Sequence, residues 1–206
     1  MQSLAEVSRF SKCAKSELIW GHGEQVNFFG LVAIGFVKMV RPNSSGTELT
    51  MEIIGPGQMF GVLGALEGSG CPLMAYGLTD TAYLKIPKDR LLAIYEESHL
   101  LKDRLLRKTA LRMHQKLDFM AKLSTGRAEE RIAAILFILA ESYGEIDGRM
   151  LRLNLPLTRQ QIGEMAGTTT ETTIRVLSKW SQERLVDTER HLITILDPEG
   201  LERKLR

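Results

Sequence analysis

The sequence predicts an α+β chain built in three successive parts, on three observations. Short β-rich runs separated by glycine turns fill the chain up to residue 86. From Pro87 to Ser142 there is no further proline, and Gly126 is the only glycine. Near the C-terminus two short amphipathic segments are broken by Gly167 and followed by a pair of β-rich runs. The expected division is a β-roll of jelly-roll type over 1–97, a long helix over 98–124, and a helix-turn-helix with a β-wing over 125–206.

The β-part rests on the runs Leu18–Trp20, Gly30–Ile34, Phe36–Val40, Leu49–Ile54 and Ala82–Ile86. Gly21-His22-Gly23, Gly35, the segment 42–46 and Gly55-Pro56-Gly57 punctuate them. Many short strands at this spacing suit a barrel or jelly roll. In the helical part, Leu106, Ala110, Met113, Leu117 and Met120 are spaced 4, 3, 4, 3. That is a heptad seam, the pattern of a helix that pairs with its own copy. The same stripe would also let the helix pack on the β-part of its own chain. The absence of a second heptad helix in the sequence, and the basic residues around the seam, favour a homodimer. Ser124-Thr125-Gly126 breaks this helix from the next, Arg127–Ser142, which is apolar at Ile132, Ile135, Leu136 and Leu139. Gly144 and Gly148 bracket a turn, and Met150–Leu155 reads as a strand.

The next segment carries the chemistry. Thr158 reads as the N-cap of a helix with Ile162, Met165 and Ala166 on one face. Gly167 supplies the stop, and Thr168-Thr169-Thr170-Glu171 matches a capping box for a second helix, Thr168–Gln182, whose apolar residues are Ile174, Val176, Leu177 and Trp180. A short turn between two such helices is the geometry that sets the second one into a DNA major groove. Glu171 and Arg175 lie one turn apart on a shared face. Arg bridges guanine O6 and N7, Glu accepts from the cytosine amino group, and a threonine methyl suits the thymine methyl. The same spacing also makes an ordinary surface ion pair. The expected base-reading residues are Thr170, Glu171 and Arg175. The expected phosphate contacts are Thr158, Arg159, Gln160, Thr169, Thr172 and Lys179, with Arg190 and His191 at the tip of the wing.

Composition bounds the remainder. A chain of 206 residues, 44% hydrophobic, is long enough for one large core or two small ones. Charge is balanced overall, 27 Lys+Arg against 25 Asp+Glu, but residues 101–131 hold nine basic side chains against four acidic ones. Residues 158–206 hold eight of each, so only local placement can make a face attractive to phosphates. The longest apolar run, Ile132–Ala140, is far short of the roughly 20 residues of a membrane span. Met1–Ser11 has no apolar core of a secretory signal. A cytoplasmic protein with no membrane partner is expected. No nucleophile–base set, phosphate loop or metal-ligand spacing occurs, so neither catalysis nor a metal is expected.

The residues from Leu157 to Leu177 resemble the catabolite-activator / fumarate-nitrate-reductase (Crp/Fnr) family of transcription regulators. Here Leu-Thr-Arg-Gln-Gln-Ile-Gly-Glu-Met-Ala-Gly precedes Thr-Thr-Thr-Glu-Thr-Thr-Ile-Arg-Val-Leu, similar to the family's "TRxxIGxxxG" and "x-E-T-x-x-R-x-L". Gly23-Glu24, Gly35 with Val37, and the segment 55–61 match more loosely. The resemblance implies a β-roll sensor of the cyclic-nucleotide-binding type, a long dimerisation helix and a C-terminal winged helix. It implies that Glu171 and Arg175 read bases, with Thr170 standing where the catabolite-activator branch usually has Arg. It implies double-stranded DNA with a palindromic, TTG- or TGA-like operator, a second copy of the chain, RNA polymerase and a small effector as partners.

The cyclic-nucleotide branch carries Gly-Glu-Leu and then Arg-Ser. Aligned on Gly61, Val62 stands for the Glu, and Pro72-Leu73 for the Arg-Ser pair. Cyclic AMP is therefore not expected to bind. Phe60, Gly61, Val62, Leu63, Cys71, Leu73 and Met74 remain as candidates for an effector pocket. Two distant cysteines, Cys13 and Cys71, cannot supply the four of an iron–sulfur cluster. No cofactor is expected. A haem held by some of His22, Met59, Met74 and His99, or a Cys13–Cys71 redox pair, defines the alternative regulator. The other alternative is an effector-binding module whose winged helix makes protein contacts.

Overall fold

A computed structural model of the chain describes residues 4–42, 48–67, 70–189 and 192–205. It contains two compact units, Met1–Thr109 and Ala110–Arg206. In the first unit, after a single helical turn, α1 (Leu4–Val7), come β1 (Arg9–Cys13), β2 (Leu18–Trp20), β3 (Phe28–Ile34), β4 (Val37–Pro42), β5 (Glu48–Ile54), β6 (Met59–Phe60), α2 (Val62–Glu67), β7 (Met74–Gly77), β8 (Thr81–Pro87) and α3 (Lys88–Glu97). α4 (His99–Thr125) runs on into the second unit, which continues with α5 (Ala128–Tyr143), β9 (Gly144–Asp147), β10 (Met150–Leu153), α6 (Arg159–Met165), α7 (Thr170–Gln182), β11 (Val186–Glu189), β12 (Leu192–Ile195) and α8 (Pro198–Glu202).

The first unit is a jelly roll. Its strands form two antiparallel sheets in the orders β1-β8-β3-β6 and β2-β7-β4-β5. That interleaving is the signature of a doubled Greek key. The core draws on both sheets: Cys13, Val32, Phe60 and Tyr83 from one, Trp20, Val37, Met39, Ile54 and Ala75 from the other. Trp20 stacks on Phe60 with ring centroids 5.2 Å apart, and Phe60 meets Tyr83 edge-on at 5.4 Å. Gly30 permits this. A Cβ there would lie 2.1 Å from the Phe60 ring. The outer face of the first sheet packs Phe29 and Ile86 against Ala65 of α2, Leu91 of α3 and Leu101 of α4.

Three strands of this unit, β1, β6 and β7, were not anticipated. β6 is two residues long and β7 ends a glycine-rich stretch, so neither offers a readable alternation. The helical stretch after Pro87 is divided at Ser98. α3 ends at Ser98, whose backbone is extended and whose Oγ accepts from Leu101 N at 3.2 Å. A serine in this position competes with the helix by capping the next one.

In the second unit α5 buries Ile132, Ala133, Ala134, Ile135, Leu136, Leu139 and Ala140. The segment after it, read above as a turn, is the edge strand β9. It pairs with β10 through a hairpin at Gly148, whose φ of +63° needs glycine. β11, β12, β10 and β9 make one antiparallel sheet, with Ile193 and Ile195 fully buried.

Candidate nucleic-acid interface

α6 begins with a complete capping box. Thr158 Oγ1 accepts from Gln161 N at 3.2 Å, and the Gln161 side chain accepts from Thr158 N at 2.9 Å. The helix ends at Gly167, φ +58°, where Thr168 N reaches back to Gly163 O at 2.9 Å. Glycine takes that left-handed turn without strain. Arg131, on α5, holds the turn from below. Its guanidinium donates to the carbonyls of Ala166 (2.7 Å), Gly167 (3.1 Å) and Gly126 (2.7 Å). The sequence reading missed this residue. A basic residue in the first turns of an apolar helix carries no signal of what it will reach.

The second helix corrects two expectations. It starts at Thr170, not Thr168, because Thr169 is the N-cap: its Oγ1 accepts from Thr172 N at 3.1 Å. The predicted Thr168–Glu171 capping box is therefore not formed, and Glu171 is free of any capping duty. Not every apolar residue of this helix lies on its packed face. Thr173, Val176, Leu177 and Trp180 are buried, while Ile174 is 49% exposed. Thr173 rather than Ile174 takes the core position because α6 crosses closely here. A Cβ on Gly163 would stand 3.0 Å from Thr173 Oγ1, and that hydroxyl donates to Thr169 O at 3.0 Å. α7 ends with Arg184 in the left-handed conformation and Leu185 N bonded to Trp180 O at 2.8 Å.

The opposite face of α7 presents Thr170, Glu171, Ile174, Arg175 and Ser178 to solvent. Among the described residues Glu171 and Arg175 make no ion pair, with each other or with a neighbour. The surface pair that their spacing permits is not made. The flanking residues are more committed. Thr169 and Thr172 share a hydroxyl–hydroxyl bond of 3.0 Å, Arg159 Nη2 donates to Thr188 Oγ1 at 2.7 Å, and Gln160 Nε2 donates to Glu164 Oε1 at 2.9 Å. Lys179 Nζ lies 3.0 Å from Glu129 Oε1 on α5, and this bond raises its pKa above the ordinary lysine value. Arg190 and His191 lie outside the described residues.

On α4, Leu106, Ala110, Met113, Leu117 and Met120 are all exposed. In the jelly roll the expected pocket residues part company. Phe60 and Cys71 are core residues, and Gly61 is buried with φ +82° beneath the Trp20 ring. Val62, Leu73 and Met74 are half-buried, and Leu63 is exposed. The Leu73 carbonyl accepts from Trp20 Nε1 at 3.0 Å, and Tyr76 Oη donates to Met74 Sδ at 3.7 Å. Of the four residues considered for haem, His22 and His99 are exposed, Met59 packs on the outer cluster, and Met74 belongs to the other sheet. Cys13 and Cys71 are free and buried, and desolvation raises both thiol pKa values. Protonated, buried thiols are poor nucleophiles.

Two family models match the chain. The cyclic nucleotide-binding domain covers residues 10–98 and the Crp-like helix-turn-helix domain covers residues 130–204. The chain belongs to the Crp/Fnr family of transcriptional regulators. Among Crp/Fnr proteins, it is 26% identical over 192 residues to a CRP-like cAMP-activated global transcriptional regulator of Mycobacterium tuberculosis, covering 93% of this chain and 86% of that one. It is 27% identical over 199 residues to the transcriptional activator protein Anr of Pseudomonas protegens, covering 96% and 81%. The structure of FixK2 from Bradyrhizobium japonicum shares the fold, with a TM-score of 0.83 at 24% identity and 96% of each chain covered. The helix-turn-helix of a Crp/Fnr regulator is its DNA-binding part, so α6 and α7 are the elements that engage DNA. None of the helices is long and apolar enough to cross a membrane, among the described residues.

Proposed function

We propose that this regulator is a homodimer that reads a palindromic DNA operator through Thr170, Glu171 and Arg175 of α7, under the control of a signal other than a cyclic nucleotide. One observation carries the reading: Glu171 and Arg175 stand on the exposed face of a helix anchored by its other side, and neither is spent on an ion pair. Side chains already held in bonds would have to break them before reading a base. Thr158, Arg159, Gln160, Thr169 and Thr172 are the phosphate contacts of this reading, together with Arg190 and His191, which lie outside the described residues. Lys179 joins them by leaving Glu129, as Arg159 must leave Thr188 and Gln160 must leave Glu164.

The homodimer rests on the apolar seam Leu106–Met120, exposed on a helix of 27 residues. A heptad stripe of about 21 Å on a helix of roughly 40 Å is well suited to a second copy of itself. Residues 1–97 act as the sensor, 98–124 as the dimerisation helix and 125–206 as the DNA-binding part. RNA polymerase is the further partner in the cytoplasm. The relative in Mycobacterium tuberculosis is named as cAMP-activated. In this chain Val62 and Pro72-Leu73 stand where an acid and an Arg-Ser pair would hold the sugar and the phosphate. A buried phosphate without its cation is costly. Phe60 and Cys71 are taken up by the core, Leu73 packs against that core and Val62 against the outer cluster, which leaves Met74 for contact with a small apolar effector.

Selection from a random duplex pool at moderate salt tests this reading. The expected product is a two-fold palindrome with half-sites about one helical turn apart. Its affinity should not change when cAMP or cGMP is added. Failure to enrich any duplex contradicts the DNA reading, and tighter binding with either nucleotide contradicts the assignment of the sensor.

A further inference from the structure

The reading face of α7 contains a large apolar side chain. Ile174 is 49% exposed, and the buried position beside it is held by Thr173. The order of these two residues is not interchangeable. A Cβ added to Gly163 on α6 would stand 3.0 Å from Thr173 Oγ1, and the Thr173 hydroxyl closes a bond to Thr169 O. A bulkier Ile at 173 would not fit that crossing. Ile174 therefore points outward by construction, among the polar residues Thr170, Glu171, Arg175 and Ser178, which are exposed as well.

An isoleucine left in water on this face gains from any partner that covers it. The partner must be apolar and must lie where Glu171 is tolerated. A carboxylate beside Ile174 is repelled by phosphates, so this part of the face turns to base edges rather than to the backbone. In the major groove the apolar group offered by base edges is the C5-methyl of thymine. Thr170, one turn earlier, places its own methyl in line with Ile174 at i,i+4. The face thus carries two stripes: a charged one, Glu171 and Arg175, and an apolar one, Thr170 and Ile174.

We propose that Ile174, with the Thr170 methyl, is a specificity-determining residue that receives a thymine C5-methyl in each operator half-site, next to the base pair read by Arg175. This inference rests on the DNA reading proposed above, and the test separates the two. The full-length protein and Ile174→Ala are titrated with the duplex enriched by the wild type. They are then titrated with versions in which each thymine in turn is replaced by deoxyuridine, which removes the methyl and leaves the hydrogen-bonding edge. One thymine per half-site should show a loss of about fourfold for the wild type, the worth of about one buried methyl. Ile174→Ala should bind the unmodified duplex more weakly and be insensitive to the same replacement, with Ile174→Val intermediate. Because Ile174 is exposed, the alanine variant keeps the helix. The inference is overturned if no thymine replacement matters, or if Ile174→Ala is as sensitive as the wild type. Failure to enrich any duplex overturns the underlying DNA reading instead, and this inference with it.

Discussion

The reading face of α7 and the interior of the jelly roll differ in which of their expected site residues are left free to bind. On α7 the residues expected to act, Glu171 and Arg175, stand outside the packed face and have no ion pair among the described residues. In the jelly roll, Phe60 and Cys71 turn inward and serve the core. The reason is geometric. A surface helix has a face to spare once its buried stripe is filled, whereas a strand in a closed roll must give every second side chain to the interior. What this teaches is that a position in a motif fixes a residue's place on the chain, and packing decides whether it is free to bind anything.

That contrast can be broken first at Gly30. If Phe60 is a core residue and not a pocket wall, the space above Gly30 is fully used, since a Cβ would lie 2.1 Å from the ring. Gly30→Val should lower the unfolding free energy by about 3 kcal/mol, at the upper end of overpacking costs, measured by chemical denaturation. An unchanged midpoint would mean that Phe60 has a cavity to move into. At the other end of the scale is Lys179. Its ammonium is held by Glu129 at 3.0 Å. Lys179→Met should therefore change the slope of log K against log salt by clearly less than the roughly one unit of a free phosphate contact. A full unit would show that Lys179 leaves Glu129 on DNA.

The second unit was the more legible of the two. Thr158, Gly167 and the spacing of Ile162, Met165 and Ala166 mark α6 because caps and glycine stops are local devices. The start of α7 was misplaced because three successive threonines, Thr168 to Thr170, offer overlapping caps, and the fold picks Thr169. The exposure of Ile174 leaves no mark in the sequence, since only the close approach of Gly163 shows that Thr173 holds the core position. Arg131 was invisible since its partners, the carbonyls of Gly126, Ala166 and Gly167, come together only in the folded unit. In the jelly roll the longer strands β3, β4, β5 and β8 were legible through their β-branched runs. The short strands β6 and β7 depend on pairing with distant partners, such as Gly30 with Phe60 and Met39 with Ala75. Their register exists only in the closed roll.

The central claim is that α7 reads sequence through Arg175, and Arg175→Ala tests it most directly. Binding is measured on the enriched duplex and on a scrambled duplex of the same length and at the same salt. A loss of about 1–3 kcal/mol is expected on the enriched duplex with little change on the scrambled one, so that the preference collapses. An Arg175→Ala protein that still distinguishes the two duplexes as the wild type does would contradict it.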